Sequence, residues 1–424
     1  MIVPSIDLMG GHAVQLVGGR EKALDAGDPR AIAERFRLAG EIAVVDLDAA
    51  LTRGSNAEVV RELVRLAPCR VGGGIRDAET ACAWLDEGAV KIVLGTAAEP
   101  DLLRRLPRER VVVALDAAAG EVVVDGWRRR TGRRVAERMK ELDGLQGGFL
   151  VTFVEREGRM AGVDLARVRE LVAAAGDSRL TVAGGIVTAD EVAALDRLGA
   201  DAQVGMALYR GRLDLAEAIS APLTSDRPDG LWPTVVVDEQ GKALGLAWSD
   251  PKSLREAVRT RHGVYHSRTR GLWVKGATSG AGQDLLRVEL DCDRDALRFT
   301  VRQHGSGFCH LGTRTCWGDD RGLTVLARRL WARRDSAPPA SYTRRLLDDP
   351  GLLHAKLLEE ATELAGAQAP EDAAHEAADL FYFALVKLVR AGVSLEEVEA
   401  ELDRRALRVS HRPDEPKAPS RARS

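Results

Sequence analysis

The chain begins with short apolar runs separated by amphipathic stretches. MIVPSIDLMGG, IAVVDLDAA, CRVGGGI, VKIVLGT, RVVVALDA, FLVTFVE, LTVAGGI and AQVGMAL read as strands. Residues 29–38, 78–87 and 165–174 carry apolar positions at helical spacing between them. Strand–helix alternation of this length predicts a parallel α/β fold, and about eight strands in residues 1–222 predict a closed (β/α)8 barrel, with an open doubly wound sheet as the alternative. After a Pro-, Ser- and Asp-rich stretch at 220–230 the pattern changes. TVVVDEQGKALGLAWS predicts a hairpin turning at Asp238–Gly241, residues 251–260 predict a helix, and LRVELDCDRDALRFTVRQ alternates. A small, mainly antiparallel β domain is therefore expected over 229–332. Beyond RRDSAPPAS (333–341) the periodicity is helical at 341–347, 352–366, 370–391 and 394–406, which predicts an all-α domain over 338–410. The polar, Pro-containing stretch 411–424 is expected to be disordered.

The barrel segment repeats itself. VGGGIRDAET at Val71 returns as VAGGIVTADE at Val182, offset 111, and SIDLMGG around Asp7 returns as ALDAAAG around Asp116, offset 109. Two half-barrels then place Asp7 and Asp116 at the ends of facing strands 1 and 5, on the rim where such barrels do chemistry. A Gly-Gly pair after a strand lets backbone N–H groups approach a phosphate. Gly73, Gly74, Gly95 and Thr96 form one candidate phosphate site, and Gly184, Gly185 and Gly205 its twin. A single pair is explained by a tight turn alone. Two symmetric pairs flanking two carboxylates suit a substrate phosphorylated at both ends, with one carboxylate as base and the other as acid.

Composition narrows the setting. A formal net charge of −3 gives no bulk reason to expect a nucleic-acid or membrane partner, and no apolar run is long enough to span a bilayer. The N-terminus lacks a basic stretch ahead of an apolar one, so it reads as a strand rather than a signal peptide. Five cysteines, three of them between 292 and 316, do not resemble a secreted disulfide framework and fit a reducing cytoplasm.

Those three cysteines carry the densest chemistry. If the strand persists through 291–295, Asp291, Asp293 and Asp295 share one face and Cys292 the other, which separates hard ligands suited to Mg²⁺ from soft ones suited to Zn²⁺. Cys292, Cys309 and Cys316 would make a three-thiolate zinc site with an open position, and His310 is placed to act as base or orienter. A closed structural zinc with His310 as fourth ligand, or three reduced thiols without metal, are the other readings. In the helical segment Glu360 and Glu363 share a face, as do Glu376 and Asp379, so two antiparallel helices would converge four carboxylates around Mg²⁺. Two solvated acidic faces are the plain alternative.

Three resemblances follow from these stretches. PSIDLMGG, VVDLDAA, VGGGIR, GTAA, ALDAAAGEVVVDGW, the EREGRMAG region, AGGI and VGMALYRG resemble the histidine-pathway isomerase that converts ProFAR to PRFAR by an Amadori rearrangement. That resemblance implies acid–base work for Asp7 and Asp116 with Trp127 and Thr152 nearby. The chain departs from it at Gln15, where Arg is usual, and at Glu157-Gly158-Arg159, where Asp-Gly-Thr is usual. HSRTRGLWVKGATSG, DCDRDAL and CHLGTRTC resemble phosphoribosyl-AMP cyclohydrolase, with Ala277 standing where Glu is usual. This implies zinc on Cys292, Cys309 and Cys316 shared between the two chains of a homodimer, magnesium on Asp291, Asp293 and Asp295, and Arg268, Arg270 and Lys275 facing substrate phosphate. SYTRRLL, KLLEEATEL and HEAADLFY resemble phosphoribosyl-ATP pyrophosphohydrolase, implying Mg²⁺ on Glu360, Glu363, Glu376 and Asp379, with Lys356 at a basic position of that family. Consecutive steps are thereby implied, and a trifunctional histidine-biosynthesis enzyme is the expected whole. The alternatives are a bifunctional hydrolase with a non-catalytic phosphate-binding barrel, or a barrel that also isomerises phosphoribosylanthranilate.

Overall fold

The computed structural model describes residues 1–409 apart from Arg20, Asp125 and Asp319, so the expected disorder of 411–424 lies outside the described residues. Two compact units emerge: Met1–Val237 with Leu246–Gly305 and the described residues from Arg404 on, and Asp238–Gly245 with Ser306–Asp403.

Eight parallel strands open the chain: β1 (Ile2–Met9), β2 (Ile42–Asp46), β3 (Cys69–Gly72), β4 (Lys91–Leu94), β5 (Val111–Ala118), β6 (Gly148–Phe153), β7 (Arg179–Ala183) and β8 (Ala200–Val204). Each pairs in parallel with the next, and β8 pairs with β1, so the predicted barrel closes. Closure leaves no sheet edge, and the interior is filled: Val112, Leu150 and Ala183 are buried together, with Val93 and Ala114 packed on them. The two halves match in detail. β1 runs into an antiparallel hairpin, His12–Val17 and Glu21–Gly27, and β5 runs into Glu121–Val124 and Arg129–Arg134.

The helices begin where local chemistry starts them. The Asp28 carboxylate caps α1 (Pro29–Phe36), whose first residue is proline, and Asp77 caps α2 (Ala78–Asp86). Asp164 and Thr188 cap α3 (Leu165–Ala175) and α4 (Ala189–Arg197).

A six-stranded sheet follows, with β9 (Trp232–Val237), β10 (Ala243–Ser249), β11 (Val264–Ser267), β12 (Gly271–Val274), β13 (Gln283–Leu290) and β14 (Leu297–Gln303) in the order β12-β11-β10-β9-β14-β13. The predicted turn is present, with the Gly241 N–H donating to Asp238 O at 2.9 Å. The predicted helix is α5 (Pro251–Thr260), started by an Asp250–Ser253 capping box and Pro251. One pair, β9 with β14, is parallel, which makes the sheet mixed.

Strand alternation through 291–295 fails. β13 ends at Leu290, and Asp291–Ala296 is the turn into β14, closed by the Asp291 N–H donating to Ala296 O at 3.2 Å. Two backbone N–H groups, of Asp295 and Ala296, donate to the Asp291 carboxylate at 3.0 and 3.1 Å. Those side-chain bonds replace the ladder that a continuing strand would have needed.

The second unit contains α6 (Leu323–Arg333), α7 (Tyr342–Asp348), α8 (Pro350–Gly366), α9 (Pro370–Ala391) and most of α10 (Leu395–Ala406). Leu330, Leu346, Leu353, Phe383, Leu385, Val386 and Val389 form its core. Leu330 belongs to α6, so this helix, ahead of the 333–341 stretch, packs with those that follow.

Candidate functional sites

Asp7 and Asp116 lie near the C-terminal ends of β1 and β5. Thr152 on β6 stands opposite Asp116 in register, and its hydroxyl donates to that carboxylate, as does the Trp127 indole. Trp127 reaches this position from the hairpin after β5, and its ring rests against Gly19 of the hairpin after β1: an added Cβ there would fall 2.5 Å from the ring. The two half-barrel excursions thus meet at Trp127.

Burial dominates the electrostatics of this rim. It pushes Asp7 up to about 7 and raises Asp116, although the Trp127 and Thr152 hydrogen bonds favour the charged form of Asp116. Glu157 is a third member: burial first, then the charges of Asp7 and Asp116, push it up to about 8. Groups with such values exchange protons near neutral pH, as acid–base chemistry requires.

Glu157, Gly184, Gly185 and Gly205 line one pocket together with Ser5 and Met160. This is the second of the two expected phosphate cradles. Its glycines are required by the backbone: Gly184 has φ of 92°, and a Cβ on it would fall 2.6 Å from Phe153 O. Gly73 repeats the arrangement in the first half, with φ of 96° and a Cβ 2.2 Å from Asp46 O. Gln15 is buried, and its Oε1 would be 2.6 Å from a Cβ at Gly205, so its amide fills that side of the cradle. Gly95 and Thr96 are exposed and meet no such constraint.

In the sheet region, Asp291, Asp293 and Asp295 offer carboxylate oxygens within 4.8 Å of one another. Their oxygens are hard donors of the kind a divalent ion such as Mg²⁺ takes. His266 and Arg268 border a cleft of about 290 Å³ with Asp229, Leu231, Asp250 and Pro251, and His266 Nδ1 lies 2.9 Å from Asp250 Oδ2. Arg270 is exposed. Lys275 is buried, its ammonium donating to Ala281 O at 3.1 Å. Cys292 is exposed in this unit.

Cys309 and Cys316 belong to the other unit and are brought together there, the Cys316 thiol hydrogen-bonding to Cys309. The Leu311 backbone N–H, then Thr313, then Cys316 lower the Cys309 thiol, which favours the thiolate that a soft metal needs. His310 Nδ1 is 4.0 Å from Cys309 Sγ, with the ring exposed. Gly245 makes this loop possible: a Cβ on it would fall 2.2 Å from the Phe308 ring and 2.9 Å from Cys316 Sγ. Among the described residues, no group of three close metal-ligand side chains includes a cysteine.

On α8 and α9, Glu360, Glu376 and Asp379 come within 4.8 Å of one another. Glu363 joins them: burial, then the charge and hydrogen bond of Glu376, raise it. Glu359, which the sequence reading missed, groups with Glu360 and Glu363. Lys356 Nζ balances this set, 2.8 Å from Glu359 and 3.4 Å from Glu360. His375, also missed, lies 3.6 Å from Asp379. Both were legible as one-turn neighbours of residues already chosen.

Known proteins match this chain in three successive regions. Residues 1–214 match the family model of the histidine biosynthesis protein, residues 245–318 that of phosphoribosyl-AMP cyclohydrolase, and residues 323–406 that of phosphoribosyl-ATP pyrophosphohydrolase. The histidine biosynthesis trifunctional protein of Komagataella pastoris is 54% identical over 201 residues, covering 47% of this chain and 24% of that protein. Its counterpart in Saccharomyces cerevisiae is 48% identical over 200 residues, 47% of this chain and 25% of that protein. The chain therefore spans about a quarter of the length of these curated relatives. The 1-(5-phosphoribosyl)-5-((5-phosphoribosylamino)methylideneamino) imidazole-4-carboxamide isomerase of Methanocorpusculum labreanum is 40% identical over 235 residues, 52% of this chain and 98% of that enzyme. With half its length in the matched barrel, and the two hydrolase models following in order, the chain belongs to the histidine biosynthesis protein family.

Proposed function

We propose that this chain catalyses three consecutive steps of histidine biosynthesis. The helical region hydrolyses phosphoribosyl-ATP to phosphoribosyl-AMP and pyrophosphate, the sheet region opens the purine ring to ProFAR, and the barrel isomerises ProFAR to PRFAR. One observation carries the reading: three adjacent regions match three families of neighbouring reactions, and each holds its own cluster of acids or thiols.

In the barrel, burial pushes Asp7 up to about 7, so it can give or take a proton near neutral pH, while burial raises Asp116 against the opposing hydrogen bonds of Trp127 and Thr152. The two glycine cradles bind the substrate's terminal phosphates. In the helical region, Glu360, Glu363, Glu376 and Asp379 hold magnesium, whose charge would offset that of the phosphates, and Lys356 orients the anion. In the sheet region, Cys309 and Cys316 with Cys292 of a second copy hold zinc, which when bound supplies an activated water. Asp291, Asp293 and Asp295 hold magnesium, and Arg268 and Arg270 face the substrate phosphate. Leu311 and Trp317, beside the thiol loop, are 77% and 70% exposed, and a homodimer would cover them. Five free cysteines suit the reducing cytoplasm.

The test is conversion of phosphoribosyl-ATP by the purified chain with Mg²⁺ and Zn²⁺, followed through pyrophosphate, ProFAR and PRFAR. Absence of pyrophosphate release would sink the reading. A second reading, in which the barrel is a scaffold, is motivated by the Glu157 carboxylate and Gln15 amide in the Gly184–Gly205 cradle. Normal turnover of ProFAR alone would eliminate it.

A further inference from the structure

The Asp291–Ala296 turn is held from outside itself. Arg294 sits between Asp293 and Asp295 with φ of 65°, a conformation that side-chain-bearing residues seldom adopt. Glycine or asparagine would take it more readily, so an arginine here needs a compensating role. Its guanidinium and its carbonyl are both engaged. Nε and Nη2 donate to Asp196 Oδ2 and Oδ1 at 3.0 and 3.2 Å, a two-pronged pair, and Nη1 donates to Asp291 O at 2.6 Å. Its carbonyl accepts from the Thr224 N–H at 2.8 Å and the Thr224 hydroxyl at 3.3 Å.

Asp196 is itself anchored. It lies on α4 of the barrel and takes the Met1 ammonium at 2.8 Å. That ammonium also reaches Asp201 at 3.0 Å, and Asp201 pairs with Arg179 and Arg70. Arg70 continues to Glu41 at 2.7 Å. Met1 and Glu41 precede β1 and β2, Arg179 opens β7, and Arg70 and Asp201 are second in β3 and β8, so the network lies at the N-terminal end of the barrel. The side chain that shapes the turn is thus fixed to an ion-pair network of the barrel.

We propose that Arg294 is a positioning residue: pinned to the barrel through Asp196, it sets the turn that gathers Asp291, Asp293 and Asp295 to take a divalent cation. This rests on the reading of that turn as a cation site. The barrel would then serve the neighbouring reaction as a template, whatever it does in its own mouth.

The test is a Mn²⁺ titration of the full chain, read by electron paramagnetic resonance, with Asp293→Asn used to assign the turn's site. Asp196→Asn removes the charge without touching the turn. Arg294→Gly removes the strut while keeping a residue at ease with the backbone angle. Each is expected to weaken Mn²⁺ at that site about tenfold, the usual scale for partners that orient metal ligands. The double variant should be no weaker than either single one, because both remove the same link. Asp196→Asn should turn over ProFAR within about twofold of the parent, which separates the effect from barrel unfolding. Unchanged Mn²⁺ affinity in both single variants overturns the strut. An Asp293→Asn titration identical to the parent's overturns the cation reading of the turn, and the proposal with it.

Discussion

Asp7→Asn should make the barrel more stable above neutral pH while abolishing its isomerisation. Burial raises Asp7 from 3.8 to about 7, so the folded state holds a proton that the unfolded chain has released between those values. Stability is therefore undiminished below about pH 4, falls as pH rises toward 7, and stays reduced above it. Each unit is worth about 1.4 kcal/mol, so the penalty is on the order of 1–2 kcal/mol at pH 5 and about 4 kcal/mol at pH 9. Asparagine carries no charge and escapes it. The difference in barrel unfolding midpoint between variant and parent, followed by denaturant titration from pH 5 to 9, should grow with pH and level off above about 8. Glu157, pushed up to about 8 partly by Asp7, should titrate lower in the variant, adding to the gain. Parallel pH profiles for the two proteins would refute the argument, because Asp7 would then not be a carboxylate charged at a cost.

Other outcomes can be stated more briefly. Glu360→Gln, at the one buried member of the acidic set, should lower Mg²⁺-dependent pyrophosphate release by about 100-fold or more, with ProFAR isomerisation as the internal control. Gly245→Ala should drive the Phe308 ring and Cys316 apart, cost about 1–3 kcal/mol by overpacking, and reduce the zinc retained after gel filtration, measured by atomic emission. Arg70→Met should cost about 1–3 kcal/mol in barrel stability by removing one partner of half-buried Glu41 and of buried Asp201, which keep Lys91, Arg179 and the Met1 ammonium, read as a lowered unfolding midpoint at pH 7.

The barrel was legible because its evidence is doubled. Apolar runs marked the eight strands, the repeat at offset 109–111 placed Asp7 opposite Asp116, and helical spacing marked α1, α2 and α3. The Asp291–Ala296 turn was not legible. Its left-handed residue is an arginine, where glycine or asparagine would have announced a turn, and its partner Asp196 is 98 residues away in sequence. The surroundings of Lys275 were hidden for a related reason. The sequence shows a basic residue in a basic stretch, whereas its burial and its bond to the Ala281 carbonyl come from tertiary packing. Glu157 stood out as a departure from a family pattern, but its tie to Asp7 and Asp116 needed the fold.

The clamp at the N-terminal end of the barrel has a consequence for traffic. Asp7 and Asp116 lie at the other end of the barrel, and β1 alone, eight residues at roughly 3.3 Å each, spans about 25 Å. The space between is packed with Val112, Leu150 and Ala183. A ring-opened product released beside the turn would find no path through the packed barrel interior to the mouth. Joining the catalysts in one polypeptide would then guarantee equal dosage and a short search, and a scavenger for ProFAR added to the medium should intercept the intermediate.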